Sequence, residues 1–192
     1  IKLIFWSFFF LGLGWHLQAV WHQQLFGDEI HSLFFFQENT WASLLLKPVE
    51  PIHPNGYYLL IKLLYAITPS VMALRFWIWL IFAASCYVLQ KILQKIGFST
   101  LTIAGALAIW SSSAYLWHFS FQLRMYGPAI LVILLSLLAL MNRKPWLSVF
   151  FDWLALSLAY GSIVFIIAKW LTYLLLDKPS KPTKLLPGLI AI

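Results

Sequence analysis

The chain has 192 residues, of which 62% are hydrophobic and only 10% charged, a composition outside that of soluble domains. A net charge of +7 would suggest nucleic-acid binding in a soluble protein. Here the cations fall in short loops between apolar runs, and no basic-aromatic surface supports a nucleic-acid partner. Several of those runs approach the roughly 20 residues that cross a bilayer, and strand-like alternation is absent. The expected fold is all-α, a polytopic transmembrane helix bundle.

The first expected span covers residues 3–21. No small-x-small cleavage site follows it, so a removable leader is not indicated. A polar segment over 22–55 then carries Asp28, Glu29, His31, Glu38, Lys47, Glu50 and His53. Within it Ile30, Leu33, Phe34 and Trp41 recur near helical spacing, which predicts a short amphipathic helix lying on the membrane. Pro48, Pro51 and Pro54 break any regular element. Residues 57–67 are apolar around Lys62 but too short to cross, and are read as a second interfacial helix. These helices make 22–70 one external loop.

Further spans are expected at 72–93, 101–118 and 122–141. The run 146–176 is too long for one crossing, and Gly161-Ser162 near its middle suggests a hairpin of two short spans, 146–160 and 162–176. Asp152 and Lys169 stand at similar distances either side of Gly161, so such a hairpin would pair them within the bilayer. The eleven tryptophans lie mostly near span ends, as interfacial belts do. Cys86 falls inside a span and reads as apolar filler. The chain begins without methionine and closes on an apolar run at 184–192, so it is expected to be the N-terminal part of a longer module.

Charge distribution orients these spans. With the N-terminus cytoplasmic, Lys2, Lys91, Lys95, Arg143, Lys144, Lys178, Lys181 and Lys184 all fall inside, in keeping with the positive-inside rule. Asp28, Glu29, His53, Arg75, Arg124 and Tyr126 then share the outer interface. Arg75 and Arg124 lie near outer helix N-termini, where both the macrodipole and topology disfavour a cation. Each therefore calls for an anion, a lipid phosphate or a carboxylate, and the guanidinium fork suits either. Asp28 after Gly27 can cap the helix that follows, or act as a general base at a partly desolvated interface.

The ordered set of Gly27-Asp28-Glu29, His53-Pro54-Asn55-Gly56-Tyr57-Tyr58, Arg75 and the run from Ser120 to Arg124-Met125-Tyr126 resembles the GT-C superfamily of membrane glycosyltransferases. It is most similar to the branch of protein O-mannosyltransferases and lipid A aminoarabinose transferases. The resemblance implies a GT-C type membrane module of a bacterial or archaeal cell (inner) membrane, with its active site facing outward. It implies a polyprenyl-phosphate-linked sugar donor and a lipid, glycan or protein acceptor. Asp28 and Glu29 would be catalytic, Asp28 as base, and together they would carry a divalent metal, magnesium or manganese, if one is used. His53, Tyr57, Arg75, Arg124 and Tyr126 would bind the donor. Two departures stand out: Asn55 replaces the family's second proline, which implies a less rigid loop, and Gln122 stands where an acid is common. The rival readings are a transporter or flippase, whose charges gather near the midplane, and a catalytically inactive structural membrane protein.

Overall fold

The computed structural model describes residues 2–47 and 53–176. Pro48, Glu50, Pro51, Lys178, Lys181, Lys184 and the further span expected at 184–192 lie outside the described residues. Within them the chain is all-helical, without a strand. The helices are α1 (Lys2–His22), α2 (Gly27–Glu38), α3 (Trp41–Leu46), α4 (Asn55–Ile67), α5 (Val71–Ile96), α6 (Thr100–Ser112), α7 (Ala114–Phe119), α8 (Tyr126–Met141), α9 (Pro145–Leu158) and α10 (Ser162–Leu176). Among the described residues only α1 and α5 are long and apolar enough to cross a membrane, while α6, α8, α9 and α10 are apolar but shorter.

The polar segment after α1 folds into two helices where the apolar spacing suggested one. Thr40 divides them, its hydroxyl accepting from the Ser43 amide to start α3. The stripe is also divided: Leu33 is buried, whereas Ile30, Phe34 and Trp41 are exposed. Lys62 closes the C-terminal end of α2 by donating to the Phe36 and Asn39 carbonyls at 2.8 and 2.9 Å. Leu33 and Phe36 of α2, Leu44 of α3 and Tyr57, Tyr58 and Ile61 of α4 enter one core with Leu74 and Ile78 of α5, Leu123, Val132 of α8 and Leu158 of α9. Helices α2, α3 and α4 thus pack on the other helices rather than apart from them.

Two expected spans are interrupted. The stretch 101–118 is broken at Ser113, whose backbone is extended. Ser111 and Ser112 both turn their hydroxyls back onto the Ala108 carbonyl, at 3.2 and 2.7 Å, a competition that weakens the end of a helix. The stretch 122–141 becomes helical only at Tyr126. Before it, Phe121 and Leu123 are fully buried plugs, and the Leu123 amide is taken by a side chain from α2. The run 146–176 divides at 159–161, between α9 and α10.

Helices meet closely where small residues allow it. A Cβ on Gly12 of α1 would lie 2.6 Å from Ser111 Oγ, and one on Gly56 of α4 only 2.3 Å from the Ser157 carbonyl oxygen. Asn55 is itself held at the start of α4. Its side-chain amide donates to the Leu44 carbonyl at 2.9 Å and to that of Lys47, fastening the start of α4 to the end of α3.

Candidate functional site

Helix α2 begins with Phe26 at the cap position, so Asp28 is its second residue and Glu29 its third. Asp28 therefore does not supply the cap. Glu29 does part of that work, its Oε2 accepting the Phe26 amide at 3.1 Å, one half of a capping box. At 3.6 residues per turn, neighbours in a helix point about 100° apart. Glu29 consequently faces the bundle and Asp28 faces out.

The two acids have opposite fates. The Glu29 side chain is fully buried beside Arg75, which is 4% exposed. Arg75 Nε donates to Glu29 Oε1 at 3.0 Å and Nη2 to Oε2 at 2.5 Å, the bidentate form of this pair. Leu123 N–H donates to Oε1 at 3.0 Å. With Phe26 N–H, the carboxylate accepts four hydrogen bonds. The Arg75 fork makes two further bonds: Nη1 donates to the Gln23 carbonyl at 2.6 Å and Nη2 to that of Gln24 at 2.9 Å. Phe121 lies against the guanidinium, 5.6 Å from ring centre to Cζ.

This clamp joins the exit of α1, the start of α2, the first turns of α5 and the turn before α8. It engages both carboxylate oxygens of Glu29 and four of the five N–H donors of Arg75 within the protein. Arg75 is only 4% exposed and keeps at most one N–H, on Nη1, for any further partner. Glu29 has no oxygen to offer a metal ion, and Asp28, with a guanidinium beside it, is a poor cation site by itself. Asp28 and Glu29 do not fit a two-carboxylate metal centre, and no group of three candidate metal ligands occurs among the described residues.

Asp28 is 72% exposed at its side chain, and its Oδ2 lies 3.3 Å from Arg124 Nη2, with Arg124 15% exposed. Arg124 sits two residues before α8 and stacks over the ring of Tyr126, Cζ to centroid 5.7 Å. Phe119 meets the same ring edge-on at 4.7 Å. Arg75 and Arg124 therefore each have a carboxylate as partner. The one at Arg75 is sealed and the one at Arg124 is open.

Tyr57 is buried to 1% exposure in the first turn of α4. Its hydroxyl makes no hydrogen bond of normal geometry. Burial pushes the phenol well above the ordinary tyrosine range; the Ser32 hydroxyl and the Arg124 charge oppose the shift, and the Glu29 charge reinforces it. Tyr57 thus lies within electrostatic reach of both ion pairs, but as a buried neighbour. His53 is half-buried just ahead of α4. Gln122 is buried, its side-chain amide 3.0 Å from His118 Nε2, and His118 packs edge-on against Phe26.

The Leu123 amide and the Gln23 and Gln24 carbonyls were not identifiable from the sequence, because backbone groups leave no side-chain signature. A second polar centre is built on α8, α9 and α10. Lys169 Nζ donates to both Asp152 oxygens at 2.6 Å, Trp170 Nε1 donates to Oδ2 at 2.7 Å, and Ser136 Oγ donates to Oδ1 at 2.6 Å. The expected Asp152–Lys169 pair is therefore present, with hydroxyl and indole donors around it.

Comparison with known protein families, with curated proteins and with solved structures finds no match to this chain.

Proposed function

We propose that the chain is part of a polytopic membrane glycosyltransferase of the GT-C kind, multi-pass and with its active site on the outer face. The observation that carries the reading is the contrast between the two acids: one is sealed into a four-way clamp, and beside it an exposed carboxylate and an arginine face out together. In this reading α6, α8, α9 and α10 also cross the membrane, their short lengths made up by flanking turns or by local thinning.

The chemistry follows from that pair. A polyprenyl-phosphate sugar presents a phosphate, and Arg124 takes it, with Tyr126 stacked behind the guanidinium; His53 is assigned to the same donor. Phosphate binding draws Arg124 from Asp28 and leaves the carboxylate free. Asp28 accepts the proton of the acceptor hydroxyl or amine as it attacks the anomeric carbon. The bond from that carbon to the phosphate oxygen breaks, and Arg124 stabilises the charge on the departing phosphate. One in-line displacement inverts the anomeric centre, by analogy with inverting glycosidases. Glu29, Arg75 and Tyr57 act in this scheme as positioning residues: the clamp holds the Arg124 turn against the start of α2.

The test is consumption of radiolabelled polyprenyl-phosphate sugars by the full-length protein in liposomes, wild type against Asp28→Asn. Consumption by the wild type that is lost in the variant supports the reading. No consumption across a broad donor panel by folded protein overturns it. The buried Asp152–Lys169 centre favours a second reading, a transporter with an intramembrane charge pair. That reading expects substrate or proton flux across liposomes that Lys169→Met stops and Asp28→Asn spares.

A further inference from the structure

We propose that the groove between α8 and α10 binds the headgroup of an anionic phospholipid at the end of the bundle opposite Asp28. The groove has a volume of about 520 Å³, within the range of small-ligand sites. Leu137, Leu140 and Phe165 give it hydrocarbon walls, and Arg143, Lys169 and Tyr173 line it as well. Phe165 is largely exposed, so the groove opens on an apolar face, where a soluble anion would have to leave water.

Charge selects the occupant. Among the described residues the one carboxylate lining the groove, Asp152, is engaged by Lys169, and none is paired with the exposed Arg143 at the mouth. Lys95 reaches the same turn, donating to Asn142 Oδ1 at 2.7 Å, and Lys144 follows Arg143 directly. Among the described residues no free carboxylate faces these cations. A lipid with net negative charge complements this end, and a zwitterionic lipid brings its own cation to it.

The backbone at Arg143 adds a second observation. Arg143 has φ +56°, the one non-glycine residue with positive φ among the described residues. It ends α8 in the left-handed conformation, with Arg143 N–H bonded to the Leu140 carbonyl and Lys144 N–H to that of Ala139. Glycine is the residue that this position favours on conformational grounds. The end of α5 shows the usual solution, Gly97 at φ +98°. A bulky cation kept in such a conformation at the mouth of a groove is consistent with a task for its side chain.

The inference rests on the membrane reading above but not on sugar transfer. The full-chain protein, purified in mild detergent, would be incubated with phosphatidylglycerol or phosphatidylcholine and its retained lipid counted by native mass spectrometry. Saturable retention of phosphatidylglycerol is expected, weakened about fivefold by Arg143→Gln, the effect of one basic side chain at an anionic surface. Lys144→Gln, on the same turn but outside the groove lining, should retain it. Arg143→Gly removes the charge and relieves the backbone, so its thermal midpoint in phosphatidylcholine should match or exceed wild type while its lipid preference falls. Equal losses for the Arg143 and Lys144 variants would mean diffuse surface attraction and overturn the site. So would the absence of any preference in a detergent-requiring protein. A chain that stays soluble without detergent would instead refute the membrane reading.

Discussion

Arg75 grips both oxygens of Glu29 across 46 positions of chain, while the acid immediately before Glu29 stands in the open against Arg124. Neighbouring residues of one type are thus divided between a buried clamp and an exposed ion pair. Removing either member of a buried pair leaves the other as an uncompensated charge, at a cost of roughly 3–5 kcal/mol. The exposed Asp28–Arg124 pair is screened by solvent and contributes about 0–1 kcal/mol.

Glu29→Gln and Arg75→Leu should therefore lower the thermal midpoint sharply in detergent, whereas Asp28→Asn should leave it nearly unchanged. If the proposed transfer is correct, Asp28→Asn is stable and inactive, and Glu29→Gln loses activity together with stability. Unfolding curves and donor consumption measured on the same preparations check both. A Glu29→Gln protein as stable as wild type but inactive would return Glu29 to a chemical role.

How much of this was legible before the structure differs residue by residue. The gathering of Asp28, Arg75 and Arg124 at one end follows from charge placement and span order. The division of labour between Asp28 and Glu29 does not, because a 100° rotation separates them and only the packing of α2 on α5 decides which faces in. The position of each arginine calls for an anion, and charge placement alone admits phosphate and carboxylate equally; the packing that brings Glu29 and Asp28 to them is what selects carboxylate. The Asp152–Lys169 pair was legible because Gly161 gave a pivot to count from. Its partners Ser136 and Ser148 were not, since hydroxyls in apolar helices carry no periodic signal. The breaks at Ser113 and before Tyr126 were missed for a related reason: apolar runs report burial or lipid contact, and Phe121 and Leu123 are buried without being helical.

The Asp152–Lys169 centre lends itself to a cycle of substitutions. Asp152 accepts from Lys169, Ser136 and Trp170, and Lys169 also donates to Ser148 at 2.7 Å. Asp152→Leu alone should cost roughly 3–5 kcal/mol by leaving Lys169 unpaired in an apolar setting. Asp152→Leu with Lys169→Leu should recover most of that loss, because two packed apolar side chains replace the pair. Denaturation in detergent, compared across the two single variants and the double variant, measures the coupling. Additive losses would show that the two charges act independently and would remove the pair as the tie between α9 and α10.

Tyr57 gives a pH signature. Its phenol is held above the ordinary value of 10.0 by burial, so the folded chain keeps the proton at pH values where the unfolded chain gives it up. Above about pH 10 the unfolded state binds fewer protons, and stability falls as pH rises, by up to roughly 1.4 kcal/mol per pH unit for one group. Below pH 10 both states are protonated and the contribution is fully present. Tyr57→Phe abolishes this titration. Because the hydroxyl makes no normal hydrogen bond, its removal should cost little at pH 7. The expected result is a pair of stability curves that nearly coincide at neutral pH and separate above pH 10, with the variant the more stable. Thermal midpoints taken from pH 7 to 11 test this, and parallel curves throughout would mean that the phenol reaches water in the folded protein.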